Sequence, residues 1–404
     1  MNTAIVIGGG IAGCSTAYFL AQRGIAVTLL ERHSDIAQEA SGNPLAMLYP
    51  KLSVKPSLQT TITTHGFHFT LTLLQQLPNH QQFFNACGLI QLAFNAAEKV
   101  KQDTLRQAEY LEPNKLLFQF VDSLQASELA GVALKTEGIF LPQSGWVNPR
   151  LLCAALSNHA LITIQTSTKA LSIEHGKNGW RVECDDSAIE AENVVICNAN
   201  DMKQFGFCHS AKLAAVRGQI EFLPPNDTSK HLKTIVCSDH YLSPAINGCH
   251  SLGTTYSINH TPNDFSVKIS AEDTQSNLSA LEKISPDIFN QTDSIIVNSR
   301  ASWRSQTLDY RPLAGQLLDE AKLTEKPPRY NVDPASLPWL PGLYVNAGHG
   351  SKGMITAPLC GQLIASLIAK TELPIDAKLA SSMCPSRFLL RELGLKQLAA
   401  SLYK

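Results

Sequence analysis

The sequence holds ten cysteines but no C-x-x-C pair. Thiols scattered singly suit neither a tetrahedral zinc site nor a disulfide framework, so reduced, mostly structural cysteines and no bound metal are expected. Charge is also sparse. Only 17% of residues are charged and the formal net charge is -1, which excludes a strong overall field for nucleic acid or an anionic membrane and leaves such work to local patches. No basic, apolar and small-residue leader precedes the first apolar run, AIVIG from residue 4, and no apolar stretch reads as long enough to span a bilayer. A soluble, cytoplasmic protein without membrane contact is the expectation. No internal repeat is visible. With 404 residues, 44% of them apolar, the chain exceeds the size at which one core keeps growing, and two domains follow.

What is present begins at once. AIVIGGGIAGCSTAYFLAQRGIAVTLLER reads as strand, glycine turn, helix and strand, with Gly8, Gly10 and Gly13 at G-x-G-x-x-G spacing. Each position has a task in a dinucleotide site. Gly8 permits the tight turn, Gly10 lets the backbone approach a pyrophosphate, and Gly13 lets the helix pack close to the strand. The free N–H groups and the positive end of the helix dipole receive the phosphates. Glu31, 18 residues beyond Gly13 at the end of the second strand, is placed to accept the ribose hydroxyls.

The next stretch does not continue as a simple βα repeat. Ser41, Gly42 and Asn43 are small and polar, and they lead into an apolar run closed by Tyr49 and Pro50. In glutathione-reductase-like flavoproteins a segment of this kind runs beside the flavin and its ribityl chain, so the resemblance implies FAD. Residues 60 to 145 read as mainly helical, and Asn148 with Pro149 marks a helix entry. ENVVICNAN reads as a buried strand returning beside the first, which makes the nucleotide domain discontinuous. AVRGQIEFLP, HYLSPAINGCHSLGTTY and DSIIVNSRASWRS alternate like the strands of an antiparallel substrate sheet. The fold class is therefore α/β, a Rossmann-type FAD-binding domain plus an antiparallel-sheet substrate domain. The expected division gives 1–75, 145–212 and 300–404 to the first and 76–144 and 213–299 to the second. A late glycine turn, Gly348, Gly350 and Gly353 around His349, Ser351 and Lys352, opens another helix. Its N-terminus suits developing negative charge, which in flavin oxidases is the N1–C2=O edge of the reduced ring; the alternative is a turn that merely packs two elements.

Together the glycine motif, SGN, VRGQ around Arg217, YLSP, GTTY and GHGSKG resemble the D-amino-acid-oxidase-like flavoproteins, which include glycine and sarcosine oxidases. More narrowly, ASGNPLAMLYPKLS, GWVNP, VRGQ and AGHGSKGMITAPL resemble the FAD-dependent domain of the MnmC family of bifunctional tRNA wobble-uridine modification proteins. That family also carries a methyltransferase domain, which does not precede the flavin fold in this sequence; a separate or fused methyltransferase is an expected partner. The resemblance implies oxidative removal of the carboxymethyl group of 5-carboxymethylaminomethyl-uridine in the tRNA anticodon loop, leaving 5-aminomethyl-uridine and glyoxylate.

It also implies residue roles. Arg304 matches the position that holds the substrate carboxylate, against the alternative of an ion pair with Asp309; Tyr241 matches a pocket tyrosine, against an ordinary core tyrosine. Arg217 is expected to brace the domain interface, and Lys352 to face flavin, tRNA or solvent. The local candidate for RNA contact is an amphipathic C-terminal helix bearing Arg387, Arg391, Lys396 and Lys404, although a solvated face explains such charges equally well. Two other functions stay open: a small-molecule glycine, sarcosine or D-amino-acid oxidase, and a flavin-containing partner that positions a methyltransferase without catalysis.

Overall fold

The computed structural model describes residues 2–50, 52–107, 117–177, 179–259, 267–292 and 296–403. The chain opens with strand β1 (Thr3–Ile7), helix α1 (Ile11–Ala21) and strand β2 (Ala26–Leu30). Both strands are short apolar runs, and they pair in parallel at the centre of a six-stranded sheet. On one side Asn193–Ile196 pairs in parallel with β1, followed by Trp339–Ala347 in parallel and Leu313–Leu318 antiparallel; on the other, Ile162–Gln165 pairs in parallel with β2. The returning strand read in ENVVICNAN thus lies directly beside the first.

Helix α1 can lie against its own turn only because residue 13 is glycine. A Cβ there would stand 1.8 Å from the carbonyl oxygen of Gly8, inside any tolerable contact. Gly8 itself has φ +108°, in the region that favours glycine. The helix Gly353–Ala369 packs against α1 and against the helix Leu58–Gln76. Here one expectation is corrected, because Gly350–Ala369 is long and apolar enough to cross a membrane by length and composition. In this fold it is a core helix, with two thirds of its length buried.

The second large sheet has nine strands. Its longest pairing joins Leu213–Leu223 to Asn298–Thr307, antiparallel and in register from Leu213 opposite Thr307 to Phe222 opposite Asn298. The expected boundary at residue 300 falls within this strand. The expectation of a mainly helical 60–145 holds in part: Leu58–Gln76, Ala96–Arg106 and Ser123–Ala130 are helices, but between and after them the chain supplies Leu89–Leu92, Gln119–Val121 and Gly138–Leu141 to the sheet. Short apolar runs such as LIQL and GIFL carry no periodicity that separates a buried strand from a helix segment. At residue 148 the local reading holds. The Asn148 side chain accepts from Leu151 N–H at 3.2 Å, with Pro149 as the first helical residue.

The C-terminus departs from the expected basic amphipathic helix. It forms two short helices, Arg387–Glu392 and Lys396–Ala399, separated by Gly394 at φ +79°; Lys404 lies outside the described residues. Arg387 is fully buried. Its Nε and Nη2 donate to Asp309 at 3.0 and 2.8 Å, and Arg391 and Arg311 converge on the same carboxylate. Arg387 is therefore an anchor and no part of a surface, since a buried guanidinium needs its charge partner. Burial works to raise the Asp309 pKa, but hydrogen bonds and charges from Arg387, Arg311 and Arg391 outweigh it and hold the carboxyl well below its usual range.

Replacing Asp309 by Asn should cost about 2–4 kcal/mol, because it leaves a buried arginine without its counter-charge. A carboxyl whose pKa is depressed on folding stabilises above its unfolded value and loses that contribution as pH falls through the folded one. Urea unfolding should accordingly show the full gap between wild type and Asp309→Asn above roughly pH 5 and a narrowing gap in more acidic solution. Equal stabilities at neutral pH would refute the anchoring role.

Candidate active site

An elongated cleft of about 1060 Å³, counting the part open to solvent, runs across the C-terminal ends of β1 and β2. One end is walled by Glu31, Arg32 and Thr168–Ala170, and the middle by Gly8–Ala12 and Gln38–Ser41. The other end is walled by Trp303, Arg304 and Ser305 together with Gly348, His349, Gly350 and Gly353. Two helices, α1 and Gly353–Ala369, begin at this cleft, and neither has a side-chain hydrogen bond from its N-cap residue or an acid in its first turn. Neither positive end is closed by its own N-cap side chain, and at α1 only the Ile11 N–H is taken, by Ser41, so both ends still favour an anionic or electron-rich ligand.

Glu31 is buried, and its carboxylate accepts from Gly9 N–H at 2.8 Å and His33 N–H at 2.9 Å. It therefore fixes the glycine loop while each oxygen retains accepting capacity towards the cleft. Ser41 Oγ accepts from Ile11 N–H at 2.9 Å and so caps α1 from a distance. Gly42 and Asn43 do not line the cleft. Arg300 donates to Asn43 Oδ1 and to the carbonyls of Gln38 and Glu39, and a Cβ on Gly42 would stand 2.5 Å from its Nη2. The SGN segment is thus buckled to the substrate sheet by an arginine that sequence reasoning missed. Four positions from Arg304 on a strand, Arg300 shares its face, which was the available signal.

Five buried polar atoms on the cleft wall have no partner among the described residues: Asn198 Oδ1, Arg304 Nη1, Ser305 Oγ, Asn346 Oδ1 and His349 Nε2. Buried polar atoms are normally satisfied, so their concentration here marks the place of a polar ligand. At His349 the hydrogen-bond chain assigns the tautomer. Thr356 Oγ1 donates to Lys352 O at 2.9 Å and lies 2.9 Å from His349 Nδ1; a neutral ring then carries its proton on Nδ1 and leaves Nε2 as an acceptor. Burial pushes the His349 pKa down to about 3, which keeps the ring neutral.

A second cavity of about 1120 Å³, continuing into solvent, adjoins the first and shares His349 as a wall. Ser351 and Lys352 line it, as do Tyr49, Pro50 and Leu52 from the run after SGN. Lys352 Nζ stands 3.4 Å above the Tyr49 ring, a cation–π contact. Burial pushes its pKa down to about 7, with Cys237 acting weakly the other way. Arg304 lines the first cleft, over Gly218, where a Cβ would stand 2.4 Å from Nη1, and two residues along the same strand Gln306 lines the second cavity. Its Nη2 donates to Thr254 Oγ1 at 2.9 Å, and no acid pairs with it among the described residues. Asp309 is engaged by Arg311, Arg387 and Arg391 instead. Burial lowers the Arg304 pKa, against the favourable fields of Tyr241 and Tyr256.

Tyr241 is 4% exposed and packs in the main core, close enough to sense Arg304 but on neither cavity wall. Gly13 likewise lines neither cavity. Arg217 pairs with Asp273 on the helix Ala271–Ile284 and donates to Gln219 Oε1 at 3.0 Å, a brace between the substrate sheet and that helix.

The family model described as FAD dependent oxidoreductase matches residues 3–367. The chain belongs to that family. Its cofactor is FAD, and the glycine loop, Glu31, the two open helix ends and the five unpartnered atoms form a cleft suited to a dinucleotide with a flat polar head. Among curated relatives, the tRNA 5-methylaminomethyl-2-thiouridine biosynthesis bifunctional protein MnmC of Methylobacillus flagellatus is 40% identical over 99% of this chain and 61% of that protein. MnmC of Pseudomonas syringae pv. syringae is 38% identical over 96% and 59%. The chain thus spans about 60% of the length of these relatives. Glycine oxidase from Geobacillus kaustophilus shares the fold at a TM-score of 0.76 and 22% identity, covering 94% of this chain and 98% of that one. L-proline dehydrogenase from P. horikoshii also gives 0.76, at 19% identity and 97% and 98% coverage.

The purified chain should be yellow and release FAD on denaturation. Gly13→Ala, which drives a methyl group into the Gly8 carbonyl, should lose most of the flavin. The ratio of flavin to protein absorbance measures this, and a Gly13→Ala protein fully loaded with FAD would contradict the packing argument.

Proposed function

We propose that this oxidoreductase removes the carboxymethyl group from 5-carboxymethylaminomethyl-uridine at the tRNA wobble position, leaving 5-aminomethyl-uridine. The carrying observation is the Arg304 guanidinium, which no acid pairs among the described residues and whose buried Nη1 is unpartnered, on the wall of the flavin cleft. A buried cation without an acid calls for an anionic ligand, and a carboxylate matches its fork. The modified base ends in an N-linked glycine, which offers such a carboxylate one carbon from the C–N bond to be oxidised. Similarity to MnmC proteins along 96–99% of the chain supports the tRNA-borne form of that unit.

Bound FAD supplies the two-electron acceptor for the glycine Cα–N bond. Arg304 holds the carboxylate and thereby fixes the methylene against the cleft. Lys352, with a pKa near 7, adds a second cation when protonated, and Tyr49 and Leu52 exclude water around it. Neutral His349 offers an acceptor, not a charge, at the shared wall. The imine left on the substrate is hydrolysed by water to glyoxylate and the aminomethyl base. The local basic residues, and not the net charge of -1, would have to serve the phosphates.

Arg304→Lys keeps a charge and loses the fork. It should retain FAD and weaken productive substrate binding roughly 10- to 150-fold, the loss of one charge-assisted pair. Stopped-flow flavin reduction reads this, and wild-type kinetics in a destabilised variant would make the residue structural. For the substrate, tRNA bearing the carboxymethylaminomethyl group should bleach the flavin in a single turnover far faster than glycine or sarcosine at equal concentration. Unmodified tRNA should leave it oxidised. Efficient reduction by free amino acids with none by modified tRNA would make the chain a small-molecule oxidase.

A further inference from the structure

The carboxylate reading accounts for the Arg304 wall of the flavin cleft but not for the exposed part of the second cavity. Tyr256 and Tyr310 both line this cavity, yet they remain 44% and 53% exposed. Tyr256 is tied to the strand that carries Arg304. Its hydroxyl donates to Gln306 Oε1, and it lies within electrostatic range of both Arg304 and Tyr310. The two rings therefore share one stretch of the cavity wall.

Single exposed aromatics are ordinary, but Tyr310 is presented by a turn built to hold it. Its φ is +59°, a strained conformation for a residue with a Cβ that persists only where the surroundings enforce it. Here they do so. Tyr310 N–H donates to Thr307 O at 3.1 Å, Thr307 Oγ1 donates to Arg311 O at 2.6 Å, and the neighbouring Asp309 is gripped by three arginines. Those arginines exceed the carboxylate by two positive charges, and Arg391 keeps 31% of its side chain exposed. A rigid, exposed π-face on a cavity wall with positive charge behind it has the chemistry that single-stranded nucleic acid recognises: aromatic rings for bases and cations for phosphates.

We propose that Tyr310, with Tyr256 on the same cavity wall, stacks on the nucleobases that flank the reacting nucleoside of an RNA strand. This rests on the reading that the pocket takes a glycine unit carried on a nucleoside, and it adds the surface that receives the rest of the strand. Such stacking tolerates any base, so it would serve several RNAs sharing only the modified position.

The test uses the FAD-loaded protein with Tyr310→Ala, Tyr310→Leu and Tyr310→Trp. End-labelled anticodon stem-loop RNA binding is followed by fluorescence anisotropy, and flavin reduction is followed with both the modified stem-loop and the isolated modified nucleoside. Ala and Leu should weaken stem-loop binding roughly 5- to 150-fold, and Trp should restore it. The factor should stay constant between about 50 and 200 mM salt, because stacking releases no counterions. The limiting rate with bound stem-loop and the reaction of the isolated nucleoside should both stay at the wild-type level. Stem-loop binding within twofold of wild type in Tyr310→Ala, restoration by Leu, or an equal loss with the isolated nucleoside overturns the stacking role. If stem-loop binding depends on Tyr310 while modified RNA leaves the flavin oxidised, the reaction proposed above fails and the stacking surface stands. Flavin reduction by modified RNA that ignores Tyr310 gives the converse. Absence of any stem-loop binding by the wild type rejects both.

Discussion

The pairing of Asn298–Thr307 with Leu213–Leu223 is the constraint on which the site depends. Its register sets Arg304 opposite Val216 and next to Gly218, whose missing side chain makes room for the guanidinium. The same strand sends Arg300 into the SGN segment and Gln306 to the glycine turn at His349. Its end delivers Asp309 to the C-terminal arginines. Because side chains alternate along a strand, a slip of one residue would turn Arg300, Arg304 and Gln306 to the wrong face together. One ladder of backbone hydrogen bonds thus holds the nucleotide loop, the carboxylate-binding candidate and the chain terminus in a common frame.

Within that frame the chain manages charge locally. The buried cation at Asp309 is satisfied; the one at Arg304 is left open on one side. Burying two such groups and pairing only one is costly unless a ligand supplies the missing anion. Around the open cation the other titratable groups are kept near neutral. His349 is uncharged through burial, and Lys352 is poised near pH 7. An incoming carboxylate would therefore meet one permanent fork and one ammonium whose protonation its own charge would favour.

How much of this was legible follows the range of the interactions. The glycine turn, α1 and Glu31 were readable because their geometry is set within about thirty residues, where spacing and backbone sterics decide the outcome. The Asn148 cap was readable for the same reason. Arg300 was not, since its partners Gln38, Glu39 and Asn43 lie more than 250 positions away. The C-terminal arginines misled in the opposite direction: charge spacing suggested a solvated basic face, but a single distant Asp309 draws Arg387 into the interior. The strands within 60–145 were hidden because burial on both faces erases the alternation that identifies a strand.

The division between the two cavities bears on selectivity. The flavin cleft and the second cavity share only His349 among their lining residues, so the two spaces adjoin along a short stretch of wall. Arg304 lines the first, and a molecule as small as glycine could engage it while leaving the second to water. Binding energy gained in that second space falls on parts of the substrate that do not react, and it can be used to orient the part that does. A ligand with a body large enough to enter the second cavity would gain binding energy there that a smaller one leaves to water.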